Sequence, residues 1–483
     1  MPNHSIWIAA LPVLLLAGCS APLMGPDLGG LYNSLAQQED PYRNPVVVIP
    51  GLIGSRLVDR QTNTVVWGAF GFAQSANPKT AEGARLIALP IATDKPFRDL
   101  RDEVMPDGAL DRVVVNLFLF PVALNAYYNI LRTLGVGGYR DQDLGEAGAI
   151  NYGDKHFTCF QFDYDWRRDI VESAQALDAF LKEKRAYVQR EVERRYGIKN
   201  HDVKFNLVAH SMGGLVARYY LRYGAADLPS DGSLPKITWA GADLVDHLVM
   251  VGTPNAGSLD AIQNLVEGYK PAPFFPYYSP AVLGTMPSIY ELLPRSRHRP
   301  LLKADGQPVA DILDPELWRR NGWGLADPGQ ASELAKLLPE FADPNERRRV
   351  ALEFQARALK RAEQFTRAMD TPAHFPATLK LQLIAGDSVA TPKTLQWNQA
   401  GNLKLVETGA GDGTVLRRSA LLDERITPRL QERLRSPIEW DHVLFLFADH
   451  LRLTQDPAFT DNLLYFLLES PRQTISPGLL KMP

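Results

Sequence analysis

Cysteine is nearly missing: two residues in 483, Cys19 and Cys159, allow one intramolecular disulfide at most, so the fold is expected to stand on its core. Basic residues are not in excess, since 52 Lys and Arg against 55 Asp and Glu give a formal charge of −3 with no long basic stripe. Nucleic acid is therefore not an expected partner. There is no HExxH, no CxxC and no Asp-rich calcium loop. Neither a metal nor a cofactor is implied. No internal repeat or low-complexity tract occurs either, which argues against a solenoid or an array. The apolar run over residues 6–17 is too short to span a bilayer, and small residues follow it at once.

That short run has the shape of a secretory signal, although His4 replaces the usual Lys or Arg ahead of it. Leu16-Ala17-Gly18-Cys19 resembles a bacterial lipobox, in which the cysteine becomes the lipidated first residue. With Ser20 rather than Asp after it, the resemblance implies a lipid-anchored protein of the bacterial cell envelope, held at the outer membrane. Residues 20–44, rich in Pro, Gly, Asn and Gln, read as a flexible tether. Cys159 lies in an apolar run and reads as a buried small hydrophobe.

With 45% apolar residues the chain can bury a large core. Residues 45–50 (PVVVIP) form a continuous apolar run stopped by Gly51, as in a parallel strand buried on both faces. Further strands are expected over residues 157–164, 204–209, 248–252, 379–385 and 443–447. Helical spacing of Leu177, Phe180, Leu181, Val188 and Val192, the segment 218–223 and the segment 459–469 supply helices between and after them. The alternation predicts an α/β fold with a mostly parallel sheet, helices on both faces, and one catalytic domain over residues 45–470. Two insertions, at about 56–153 and 258–376, are read as a cap, and 471–483 as a C-terminal tail.

Ala209-His210-Ser211-Met212-Gly213 lies between a strand and a helix, the setting in which a nucleophile elbow forms. Small residues two before and two after Ser211 let strand and helix approach. Serine needs a base within hydrogen-bond reach and an acid to orient that base. In an α/β-hydrolase the order is Ser, then acid, then His, on loops after late strands. Of nine histidines only His442 and His450 fall late enough. His450, at the far end of the strand from His442, is preferred because ligands bind at the C-terminal ends of parallel strands. Asp412, in the glycine-rich turn 411–415 (GDGTV), is preferred as the acid over Asp387; Asp449 adjoins His450 too closely to orient it. Met212 at the helix N-terminus supplies one oxyanion donor, and the loop 50–54 (PGLIG) is expected to supply the second, with Leu52 of that loop expected to contact the substrate.

These blocks resemble the lecithin:cholesterol acyltransferase family. The resemblance rests on residues 46–54 (VVVIPGLIG), Tyr164-Asp165-Trp166-Arg167, the turn around Ser211, Gly252-Thr253-Pro254 with Gly257-Ser258, residues 411–415 and Asp449-His450. It implies an α/β-hydrolase with Ser211, Asp412 and His450 as the triad and Ile53 and Met212 as oxyanion donors. It also implies Trp67 near the acyl chain. The family's lid disulfide has no cysteines to form it here. Tyr164 to Arg167 read as structural, with Asp165 and Arg167 holding the end of a core strand.

The expected activity is hydrolysis or acyl transfer on a lipid ester, a phospholipid or an acylglycerol, at a membrane reached through the N-terminal anchor. A carboxylesterase of soluble small esters is the nearer alternative, and an inert binding lipoprotein the more distant one. Phe274, Phe275, Tyr277 and Tyr278, set among prolines, are expected either in a lid that meets the bilayer or in the packing of the cap.

Overall fold

The computed structural model describes residues 36–470, apart from 71–74, 111, 118–119, 126, 145–151, 272–274, 399–401 and 426–432. The expected signal segment with Cys19, the first part of the tether, Phe274 and the tail 471–483 lie outside the described residues.

Six strands form one parallel sheet: β1 (Val46–Ile49), β2 (Cys159–Gln161), β3 (Phe205–His210), β4 (Val245–Val251), β5 (Lys380–Gly386) and β6 (His442–Leu446), in the order β6-β5-β4-β3-β1-β2. β1 lies between β2 and β3, with Val46 opposite both Cys159 and Asn206. Its four residues are wholly buried, as a strand with helices on both sides requires. Cys159 is a free, buried thiol in β2, raised in pKa by burial.

Helix α1 (Ile170–Tyr196) follows β2 and is capped at its start by the Asp169 carboxylate on the Val171 N–H and at its end by Gly197 in the left-handed region. Helix α2 (Gly213–Tyr223) follows β3 and is buried along its whole length. Between β4 and β5 come α3 (Leu259–Glu267) and the 27-residue α4 (Pro344–Asp370). Charged as it is, α4 buries Val350, Phe354, Ala358, Phe365 and Met369 on one face, and turns Arg361 to the carboxylates of Asp169 and Asp227. Helix α5 (Pro457–Leu464) closes the described chain, with a further π turn to Glu469.

Two departures from the sequence reading stand out. Residues 36–44, expected within a flexible tether, lie against the body: Ala36 is buried, the Arg43 guanidinium donates to the Gly137 carbonyl, and Asn44 donates to Asp246. A flexible tether would leave those groups to water, whereas here each meets a partner on the folded domain. The second is an antiparallel hairpin, Val389–Trp397 with Leu403–Gly411, inserted directly after β5. It delivers Asp412 from its second strand and so sets where the acid stands.

The first insertion also carries small sheets of its own. One joins Ser55–Asp59 to Val65–Trp67 and Val104–Ala109, and another joins Ala69–Phe70 to Arg112–Leu117 and Phe120–Asn125.

Candidate active site

Ser211 occupies the turn between β3 and α2 with φ +54, the left-handed region that non-glycine residues seldom enter. The turn is held by the Ser211 N–H donating to the Val251 carbonyl at 2.8 Å and by the Gly214 N–H donating to the Ser211 carbonyl at 3.0 Å. A Cβ on Gly213 would stand 2.5 Å from the Pro50 carbonyl oxygen, so only glycine lets α2 start this close to the end of β1. On the opposite side of the elbow, Ala209 is wholly buried.

Three loops at the C-terminal ends of the strands converge on Ser211. His450, beyond β6, has Nε2 3.0 Å from Ser211 Oγ and Nδ1 2.8 Å from Asp412 Oδ2. The second carboxylate oxygen of Asp412 accepts from the N–H groups of Thr414, at 3.0 Å, and Val415, at 2.7 Å. The His450 N–H donates to the Asp412 carbonyl at 2.9 Å, which ties the two loops together. With one Asp412 oxygen committed to backbone donors, the other accepts from Nδ1–H. Nε2 is then left as the acceptor facing the serine hydroxyl.

Electrostatics agree with that assignment. Burial alone would raise the pKa of Asp412, but the His450 ring and the hydrogen bonds to its carboxylate outweigh it and hold the group below the usual carboxylate value. Burial pulls His450 down, but the carboxylates around it, Asp412 first and then Asp260 and Asp449, together outweigh that, so the imidazole is raised above its ordinary value.

The rival residues stand elsewhere. His442 opens β6 opposite Gln382 and packs its ring on Phe466, at the N-terminal end of the strand. Asp387 faces Arg417 at 3.5 Å, and Asp449 accepts from Arg452.

Gly51 to Gly54 form a turn closed by the Gly54 N–H on the Gly51 carbonyl at 3.0 Å. Ile53 takes φ +58 within it, a strained conformation for a β-branched residue. A Cβ on Gly51 would come within 2.6 Å of the Ser211 Cβ, so the turn lies directly over the serine. The Ile53 carbonyl accepts from the Trp67 indole N–H at 2.8 Å. Met212 stands at the N-terminus of α2, where a backbone N–H has no helical carbonyl to meet. The Tyr164 to Arg167 block buttresses this region: Tyr164 donates to the Pro50 carbonyl, Trp166 to that of Ser55. Arg167, fully buried, binds Asp165 and Asp102 and donates to the carbonyls of Leu86, Ile87 and Ala88, fastening the first insertion to the core.

Ser211 and His450 open into a cavity of about 390 Å³ whose walls are mainly apolar. Leu52, Ile53 and Trp67 line it, together with Phe275 and Tyr278 from the aromatic segment. Phe275 packs on Phe70 at 4.7 Å and Tyr278 on Trp67 at 5.6 Å between ring centroids, while Tyr277 is exposed. Two of the rings expected in a lid or in cap packing thus form cavity wall.

Sequence reading passed over two residues that the fold brings to this site. Tyr127 accepts the Gly51 N–H at 2.9 Å and lies 3.2 Å from His210 Nδ1, and His210 Nε2 lies 3.2 Å from the His450 carbonyl oxygen. Burial pushes His210 down to about 3, so its ring is neutral. The carbonyl can only accept, so Nε2 carries the proton, Nδ1 accepts, and the Tyr127 hydroxyl donates to it. One directed chain therefore joins the turn over the serine to the backbone of His450.

Tyr127→Phe strands the Gly51 N–H and His210 Nδ1, at a cost of about 1–3 kcal/mol for each buried group. Urea unfolding should read that loss, and kcat on a soluble ester should fall by up to about 100-fold because the site loses registration. Lowered stability with kcat untouched would reduce the chain to scaffolding.

The family model for lecithin:cholesterol acyltransferase matches residues 149–319. No curated protein sequence matches the chain. Among solved structures it is similar to the crystal structure of the Tle4–Tli4 complex, at 16% identity and a TM-score of 0.50, over 88% of this chain and 98% of that one. It is also similar to Bacillus licheniformis lipase BlEst2 in mature form, at 12% identity and a TM-score of 0.28, over 89% of this chain and 94% of that one. At 16% identity the first of these likenesses speaks for the fold and nothing more. The matched residues of this α/β-hydrolase chain carry Asp165-Trp166-Arg167, the turn around Ser211 and Gly252-Thr253-Pro254, and over that stretch the chain is similar to the lecithin:cholesterol acyltransferase family.

Proposed function

We propose that the protein hydrolyses or transfers the acyl group of lipid esters through Ser211, His450 and Asp412. The observation that carries this reading is the continuous set of contacts Ser211 Oγ, His450 Nε2, His450 Nδ1, Asp412 Oδ2, at 3.0 and 2.8 Å, opening into an apolar cavity. In the first half-reaction Ser211 Oγ attacks the acyl carbon while its proton passes to His450 Nε2. Met212 N–H and Ile53 N–H are the donors proposed for the oxyanion. His450 then returns the proton to the departing alcohol oxygen, leaving the acyl group on Ser211. Water or a second alcohol, deprotonated by His450, takes the acyl group and restores the serine.

A lipid substrate is supported by the apolar walls and by Leu451, which lines the cavity and is 58% exposed, with Phe447 at 87% exposed nearby in the chain. Lipid anchoring at Cys19 and residence at the outer membrane belong to the same reading, since an anchored enzyme meets its substrate in the bilayer.

Rates on esters of one alcohol with acyl chains of two to eighteen carbons separate the alternatives. Lipid activity requires kcat/KM to rise with chain length, whereas a maximum at the shortest chains indicates a carboxylesterase of soluble substrates. Detergent-phase partitioning of the full chain, abolished in Cys19→Ser, checks the anchor.

A further inference from the structure

Asp260 stands in the first turn of α3, where an acid suits the helix N-terminus; exposed to water there, it would call for no other explanation. It is half-buried instead and lines the same cavity as Ser211 and His450. Its backbone N–H is taken by the Ser258 hydroxyl, but among the described residues none gives its carboxylate a hydrogen bond or an ion pair. Burial pushes its pKa up to about 6, with His450 pulling the other way and Asp412 adding to the rise. A half-buried carboxylate in a mainly apolar wall, with no partner from the protein, leaves an acceptor facing the cavity for a ligand to meet. The wall offers no lysine or arginine among its described residues.

We propose that Asp260 selects the alcohol portion of the ester by accepting a hydrogen bond from a free hydroxyl on the group that leaves past His450. The preferred substrate is then a neutral, hydroxyl-bearing acyl ester such as a partial acylglycerol. The proposal rests on the esterase reading above and narrows its substrate class. Asp260 shares the cavity wall with His450, the group that hands a proton to the departing oxygen, and the alcohol portion leaves past that ring. An anionic head group would meet the Asp260 carboxylate with no cation in the wall to offset it. An ammonium head group would meet the imidazolium that His450 becomes when it takes the serine proton. A neutral hydroxyl meets neither penalty and satisfies the carboxylate.

The test compares kcat/KM for 1-monooleoylglycerol, methyl oleate and oleoyl lysophosphatidylglycerol in the same mixed micelles, for the wild-type chain, Asp260→Leu and Asp260→Asn, with thermal melts to establish folding. The ratio of the glycerol ester to the methyl ester should fall by about 10- to 100-fold in Asp260→Leu, the worth of a hydrogen bond to a charged acceptor. It should fall less in Asp260→Asn, which still offers a carbonyl oxygen and stands in if the leucine variant does not fold. The lysophospholipid should gain on the glycerol ester in both. An unchanged ratio in a folded variant overturns the proposal, as does a wild-type preference for the lysophospholipid. Wild-type protein inert toward all three esters contradicts the esterase reading itself.

Discussion

Ser211→Ala should lower kcat for ester hydrolysis by about a million-fold while the protein still folds, because removing a triad nucleophile leaves only what binding and the oxyanion donors contribute. Oγ is the one serine atom facing His450, 3.0 Å from Nε2, and the turn that holds it is made by backbone bonds to Val251 and Gly214 that alanine keeps. The left-handed φ of +54 is as demanding for alanine as for serine, so the exchange adds little strain. Initial rates on a soluble ester, read beside a thermal melt, decide the matter. A folded variant that keeps its activity would remove the nucleophile and with it the whole reaction scheme.

His450→Ala should be nearly as severe, and His442→Ala should leave the rate within a few-fold of wild type. The two rings lie at opposite ends of β6, and only His450 meets both Ser211 and Asp412. Since the base must be neutral to accept the serine proton, the raised pKa of His450 carries a sign that can be checked. Activity is lost as pH falls through a value above 6.5, and kcat/KM should show its acid limb there. Asp412→Asn removes the carboxylate that raises the ring and should shift the limb downward along with a large loss of rate. If His442→Ala proved the dead variant, the base would belong at the other end of the strand.

The tether illustrates how composition misleads. Residues 36–44 carry the Asn, Gln and Pro of a linker, but Arg43 and Asn44 reach acceptors on parts of the chain far away in sequence, and nothing local announces that. The hairpin before Asp412 was missed for a related reason. Its second strand is largely exposed, Leu405 and Val406 both face solvent, and the pairing register slips after Pro392, so no clean two-residue alternation marks it. Tyr127 left no signal at all: a tyrosine among apolar residues is ordinary, and its hydroxyl matters only because Gly51 and His210 close around it.

By itself the sequence determined the features that depend on neighbours along the chain. Continuous apolar runs specify strands buried on both faces, as β1 is, and a serine between such a run and a helix, flanked by Ala209 and Gly213, specifies a tight elbow. The order of Ser211, Asp412 and His450 followed from the same alternation of strands and helices. The tertiary structure decided what depends on separation in space. It brought Asp412 and His450, 38 residues apart in sequence, to 2.8 Å, tied Tyr127 to His210 across 83 residues, and set Asp260 in the cavity wall. Such contacts arise when the packed sheet brings its loops together at one edge, and a local stretch of sequence carries no record of which loop its side chains will meet.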